Sequence, residues 1–350
     1  MSVGLEREPS QAVEPASGQS DSGGAGRAAE RPTWPHRHLL DTDVLTGGDV
    51  ELVMATADAM KQVLARPIPT VPALRGRNVT LLFYEASTRT RVSFEVAGKN
   101  LSASVVNIAT AASSVTKGES LVDTVRTLEA LGAQLLVIRH GVSGAPYLAA
   151  RHFGGHIVNA GDGWHAHPTQ ALLDLYTIRE RLGQSLAGRK VVVLGDVLHS
   201  RVARSNVWTL TAAGADLWLC GPATLLRGFE AWARVGAAGR RFTVTSDVNA
   251  ALRDADVVMA LRVQRERMAS ALVPSLREYA ARFGLTAERL ELARQEAFVM
   301  HPGPMNEGVE IDASVAHGPR SLVERQVTNG VAVRMALLYL LSGTPSLEER

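Results

Sequence analysis

The chain is poor in cysteine, in net charge and in long apolar runs, and each shortage excludes something. One cysteine, Cys220, rules out a disulfide framework and any cysteine-built zinc cluster. It sits in the apolar stretch Leu217–Cys220 and reads as a small buried hydrophobe. The formal net charge of the 350 residues is only +2. That is too little for nucleic acid to be the main partner, so clustered arginines must serve local sites. No apolar run is long enough to span a bilayer, so no membrane role is expected, and a cytoplasmic setting is. Nucleotide and hydrolase signatures are missing too. Only Gly195 is present where a G-x-G-x-x-G would follow the strand Lys190–Asp196. There is no G-x-x-x-x-G-K-[ST] loop, no H-E-x-x-H and no obvious nucleophile elbow. The expected chemistry uses neither cofactor nor metal.

What is present suits a soluble globular protein with a sizeable core: 46% hydrophobic and 21% charged residues, in a chain long enough for two domains. Residues 1–36 are rich in Gly, Ser, Ala, Glu and Pro without apolar periodicity, which predicts a disordered tail. Beyond it, β-branched runs alternate with helical spacing. Strands are predicted at Val79–Phe83, Val105–Ile108, Leu135–His140, Ile157–Ala160, Lys190–Asp196, Asp216–Cys220, Phe242–Val244, Asp256–Leu261 and Phe298–Met300. A strongly apolar helix closes the chain at Asn329–Leu341. The βαβα rhythm in both halves predicts an α/β protein of two doubly wound parallel-sheet domains joined by helices. The expected division is 37–168 plus a C-terminal helix at 328–345, and 169–327.

The densest polar chemistry lies in Ser87-Thr88-Arg89-Thr90-Arg91, between a strand and a helix. A helix start offers unpaired N–H groups and the positive end of its dipole. Three hydroxyls and two guanidiniums added there exceed what a cap needs and suit a multiply charged oxyanion such as phosphate. Other polar groups also fall at strand ends, where ligands bind in parallel α/β folds. They are Ser113–Lys117, Arg139-His140, Asp162–Gln170, Asp196–Arg204, Arg262–Arg267 and His301–Pro304. Cations, hydroxyls and His167 suit binding anionic substrates and stabilising an oxyanion, without a covalent intermediate.

These residues carry a resemblance. Ser87–Arg91 is similar to the carbamoyl-phosphate signature of the aspartate/ornithine carbamoyltransferase family, and His167-Pro168-Thr169-Gln170 to its second motif. Arg262-Val263-Gln264-x-Glu266-Arg267 and His301-Pro302-Gly303-Pro304 resemble the aspartate branch, as does Ser113-x-x-x-Lys117-Gly118-Glu119. The ornithine branch places His-Cys-Leu-Pro at the His301 segment. The resemblance implies that Ser87, Thr88, Arg89 and Thr90 hold the phosphate of carbamoyl phosphate. It gives Thr90, Arg139 and His167 the carbamoyl C=O, and Gln170 with the Pro302 and Gly303 carbonyls its NH2, with Pro304 on the same wall. Arg201 would pair with the α-carboxylate of L-aspartate, and Arg262 with Gln264 would take the β-carboxylate. Ser113 and Lys117 would come from an adjacent subunit, in a homotrimer with shared sites. The implied product is N-carbamoyl-L-aspartate, in de novo pyrimidine (UMP) biosynthesis. Some members add regulatory chains and others associate with dihydroorotase; the sequence does not choose between them. A carbamoyltransferase for another amine such as ornithine, or a silent assembly scaffold, are the alternatives.

Overall fold

The computed structural model describes residues 34–109, 118–264 and 272–343. Helix α1 (Gly47–Leu64) opens on a capping box: Thr46 Oγ1 accepts from Asp49 N, and the Asp49 carboxylate accepts from Thr46 N. The first α/β unit then runs β1 (Asn78–Phe83), α2 (Thr88–Asn100), β2 (Ser104–Ala109), α3 (Leu121–Ala130), β3 (Leu135–His140), α4 (Ala145–Ala150) and β4 (His156–Asp162). Helix α5 (Pro168–Leu182) leads to the second unit. That unit contains β5 (Lys190–Gly195), α6 (Arg201–Ala212), β6 (Asp216–Cys220), α7 (Phe229–Val235), β7 (Thr243–Thr245), α8 (Val248–Leu252) and β8 (Val257–Leu261). It ends with α9 (Leu276–Phe283), α10 (Ala287–Leu290), β9 (Phe298–Met300) and α11 (Ala313–Ala316), and α12 (Val323–Ser342) closes the described chain.

Both sheets are wholly parallel, in the orders β2-β1-β3-β4 and β7-β6-β5-β8-β9. The two expected parallel-sheet units are therefore present. In each sheet the strand order turns back once, between β1 and β3 and between β5 and β8. At such points the connections leave on opposite faces and open a crevice beyond the carboxyl ends of the strands.

Strands β1, β3, β4, β5, β8 and β9 are buried on both faces, as parallel strands covered by helices must be, while the edge strands β2 and β7 are partly exposed. Within β3, Leu135 and Val137 join one apolar cluster while Leu136 and Ile138 join another, the period-2 alternation of a strand. The larger cluster runs from Val79 and Val137 of the first sheet, through Leu172 of α5 and Leu337 of α12, to Val191 and Met259 of the second. Helix α5 packs on β4 and α6, and α12 packs on α1, α2, α5 and β9, so each touches elements of both units. The Glu180 carboxylate fastens them further, accepting from Lys61, Arg325 and Asn329.

Trp34 and His36 fall within the span predicted as a tail. In the structure Trp34 is buried and His36 bonds the Asp49 carboxylate at 3.0 Å. Between β6 and β7 the chain forms a short 3-10 turn, Ala223–Leu225, and then α7. Gly228, at φ +84°, lies between them.

Leu337 is fully buried at the middle of the shared cluster. Leu337→Ala should lower unfolding free energy by about 3 kcal/mol, through lost transfer energy and a residual cavity. Urea denaturation measures it, and a loss under ~1 kcal/mol would mean that α12 is not a core element.

Candidate active site

The carboxyl ends of β1, β3, β5, β8 and β9 and the starts of α2, α5 and α6 surround one cavity of about 680 Å³. Ser87, Thr88, Arg89, Thr90, Arg139, His167, Gln170, Arg201, Arg262, Gln264, Pro302, Gly303 and Pro304 all line it. Residues far apart in the chain, predicted from motifs alone, thus meet in one place. Ser113 and Lys117 lie outside the described residues.

The start of α2 is built for an anion. Ser87 occupies the N-cap position with extended backbone (φ −161°), yet its hydroxyl makes no capping bond. No acidic residue lies in the first turn to offset the helix dipole. Thr90 is buried within that turn, and Arg89 reaches toward the 301–304 segment. Gly303 has φ +64°, and a side chain there would overlap the Arg89 guanidinium.

Arg139, at the end of β3, donates to Ala160 O at 3.2 Å. Arg201, the first residue of α6, is only 5% exposed and donates to Gly163 O at 3.3 Å. Gly161 (φ +114°) separates the two. A Cβ there would meet Arg201 Nε at 2.9 Å and Arg139 Nη1 at 3.2 Å, so glycine lets both guanidiniums approach the strand end. The Glu85 carboxylate joins them, 2.7 Å from Arg201 Nη2 and 3.5 Å from Arg139 Nε.

His167 precedes α5. Its backbone N–H donates to Ser205 Oγ at 2.9 Å, and its ring does not cap the helix. The ring is buried, and among the described residues its Nδ1 has no hydrogen-bond partner. Burial, reinforced by Arg139, Arg201 and Arg334, holds its pKa well below the usual imidazole value. A neutral ring can donate one hydrogen bond without adding charge to a cationic cavity.

On the second unit, Asp196 organises the β8 loop. One carboxylate oxygen accepts from His199 Nδ1 at 2.8 Å, and the other from Gln264 N at 3.1 Å. Gln264 Nε2 donates to His199 O at 3.1 Å, which fixes the residues beside Arg262. The His301–Pro304 segment is held by Gln326, whose Oε1 accepts from His301 N at 2.9 Å. Gly303 N donates to His301 Nδ1 at 2.8 Å.

Two charged lining residues, Glu85 and Arg334, had no predicted role. Glu85 lies inside the signature stretch, but its arginine partners become visible only in the fold. Arg334 projects from α12, is 4% exposed, donates to Ser93 Oγ at 2.7 Å and lies 5.2 Å from the centre of the Phe94 ring. Burial lowers its pKa to about 10, which leaves it charged at neutral pH. The available signal was a lone cation in an otherwise apolar helix segment, Val331–Leu341. The described lining thus holds five arginines (89, 139, 201, 262 and 334) against one carboxylate, Glu85.

The lowered His167 pKa has a definite sign. Folding favours the neutral ring, so its contribution to stability is complete above pH ~6.5 and declines as pH falls below that. Histidine-selective NMR, assigned with His167→Asn, should show a neutral ring at pH 6. A titration midpoint at or above the ordinary imidazole value would contradict the buried cationic setting.

Two family models cover nearly all of the described chain. The aspartate/ornithine carbamoyltransferase, carbamoyl-P binding domain matches residues 37–180, and the Asp/Orn binding domain matches 187–341. The chain is 56% identical over 319 residues to the aspartate carbamoyltransferase catalytic subunit of Roseiflexus sp. (strain RS-1), covering 91% of this chain and 98% of that one. It is 54% identical over 310 residues to the corresponding subunit of Heliobacterium modesticaldum, covering 89% and 97%. A crystal structure of Trypanosoma cruzi aspartate transcarbamoylase with carbamoyl phosphate superposes at TM-score 0.77 and 31% identity, over 87% of this chain and 95% of that one. The same enzyme with N-(phosphonacetyl)-L-aspartic acid gives TM-score 0.76 at 31% identity, over 87% and 95%. Sequence, fold and comparisons agree: the chain belongs to the aspartate/ornithine carbamoyltransferase family.

Proposed function

We propose that this protein transfers the carbamoyl group of carbamoyl phosphate to the amine of L-aspartate, giving N-carbamoyl-L-aspartate and phosphate for pyrimidine synthesis. The observation that carries the reading is the meeting of both motif sets, with five arginines, around one cavity. Its relatives' names and the ligands of the T. cruzi structures support the same choice of substrates.

In this reading Ser87, Thr88, Arg89 and Thr90 bind the phosphate through the start of α2. Arg139, Thr90 and the neutral His167 donate to the carbamoyl oxygen. Gln170 and the carbonyls of Pro302 and Gly303 take the carbamoyl NH2, with Pro304 beside them. Arg201 pairs with the α-carboxylate of aspartate, and Arg262 with Gln264 receives the β-carboxylate. Planar guanidiniums fix a carboxylate in orientation as well as position, so the amine is aimed at the carbonyl carbon. Glu85 balances Arg139 and Arg201 until substrate groups take its place.

The chemistry needs little else. The uncharged amine attacks the carbonyl carbon, and the three donors stabilise the tetrahedral oxyanion as it forms. The C–O bond to phosphate then breaks. Phosphate leaves with the electron pair, and it is the natural acceptor for the proton that the amine gives up. Closure of the two units would exclude water and protect carbamoyl phosphate.

We assign 37–168 with the C-terminal helix to carbamoyl phosphate and 169–327 to aspartate. Ser113 and Lys117 are assigned to the neighbouring site of a homotrimer, and the enzyme to the cytoplasm. Among the described residues, no helix is long and apolar enough to cross a membrane.

Arg89→Ala should reduce phosphate release in the presence of aspartate by roughly a hundredfold to a thousandfold, because its guanidinium stabilises the charge that builds on the leaving phosphate. Unchanged turnover would place the phosphate elsewhere. Replacing aspartate with ornithine should abolish product, and a preference for ornithine would overturn the substrate assignment.

A further inference from the structure

Asp174 lies one turn beyond Gln170 on α5, has no exposed surface and does not itself line the cavity. Its Oδ1 accepts from Gln170 Nε2 at 2.9 Å and from Gln326 Nε2 at 2.8 Å. Its Oδ2 accepts from Asn206 Nδ2 at 2.9 Å. Every one of these partners is a carboxamide. A carboxylate can only accept, so each amide must turn its NH2 toward Asp174 and its oxygen away.

This constraint matters because the two ends of a carboxamide have nearly the same shape. Packing alone hardly distinguishes a glutamine from its flipped form; a directional partner does. With Nε2 held by Asp174, Oε1 is the end of the Gln170 amide left for the cavity that this residue lines. Gln326 is oriented by the same carboxylate oxygen and offers its own Oε1 to His301 N. That bond anchors the segment carrying the Pro302 and Gly303 carbonyls. One buried carboxylate therefore stands behind both sets of acceptors facing the proposed position of the carbamoyl NH2.

We propose that Asp174 is a positioning residue that sets selectivity for a carbamoyl over an acyl phosphate. It aims the Gln170 oxygen, and through Gln326 the 301–304 carbonyls, as hydrogen-bond acceptors for the substrate NH2. Acetyl phosphate has the same charge and nearly the same shape, but a methyl group replaces the NH2. Acceptors fixed in place reject it, because they stay desolvated and unpaired when it binds. A freely turning amide discriminates less. The inference rests on the carbamoyltransferase reading.

Asp174 also ties α5, α6 and α12 together, so its removal will cost stability under any account. Selectivity separates positioning from mere support. The test uses the full-length protein. It compares the KM for carbamoyl phosphate with the Ki of acetyl phosphate as a competitor, each at saturating aspartate. Asp174→Ala should lower the ratio Ki(acetyl phosphate)/KM(carbamoyl phosphate) by about tenfold, mainly through a higher KM. Asp174→Asn keeps the volume but offers an acceptor on one edge only against three donors, so it should lower the ratio by less, about threefold. It also serves if the alanine variant does not fold. An unchanged ratio in either folded variant, whatever its kcat, would overturn the proposal. If the unmodified protein makes no N-carbamoyl-L-aspartate, the underlying reading fails instead, a result distinct from an unchanged ratio in an active enzyme.

Discussion

Five guanidiniums around one cavity repel one another, and Glu85 is the sole carboxylate among the described lining residues. Like charges are brought this close only where a rigid frame holds them and a ligand of opposite sign is expected. The frame is made of parallel strands buried on both faces, whose ends cannot shift without disturbing a packed core. The ligand proposed here is two anions that would repel each other in water. Their mutual repulsion and that of the arginines are relieved together when the cavity fills. This is why the site needs so many cations for so simple a transfer, and why His167 serves better uncharged.

The connection from fold to chemistry runs through two helices. Helix α5 begins just after His167, carries Gln170 at the cavity wall and buries Asp174 one turn later. Helix α12 supplies Gln326 and Arg334 while filling the apolar space shared by the two sheets. Stability and orientation are thus carried by the same elements. Asp174 shows the consequence: a carboxylate whose pKa burial pushes up to about 6, against three hydrogen bonds donated by side-chain amides, stands where an apolar residue would pack more easily.

Much of this was legible in the sequence because its signals are local. Runs such as Val191–Leu194 and Leu135–Ile138 are continuously apolar and rich in β-branched residues, as buried parallel strands are, and the motif residues sit directly after them. The cavity then follows from topology, since strand ends in such sheets meet at the reversal points. Less legible was whatever depends on distant partners. Glu85 is a plain carboxylate until Arg139 and Arg201 fold against it. Arg334 was hidden in a helix read for its leucines. Asp174 looks like one polar residue on an amphipathic helix, because Asn206 and Gln326 come from other helices. The short helices α4, α8, α10 and α11, of four to six residues, carry too few turns for periodicity to reveal them.

In the proposed reaction one cationic cavity holds the phosphate of one substrate and both carboxylates of the other at the same time. Calorimetric titration with N-(phosphonacetyl)-L-aspartate, which joins the two anionic parts in one molecule, tests it most directly. One molecule should bind per chain, far more tightly than phosphate or aspartate alone, with affinity falling as salt is raised. Binding no tighter than that of aspartate by itself would contradict a shared cavity.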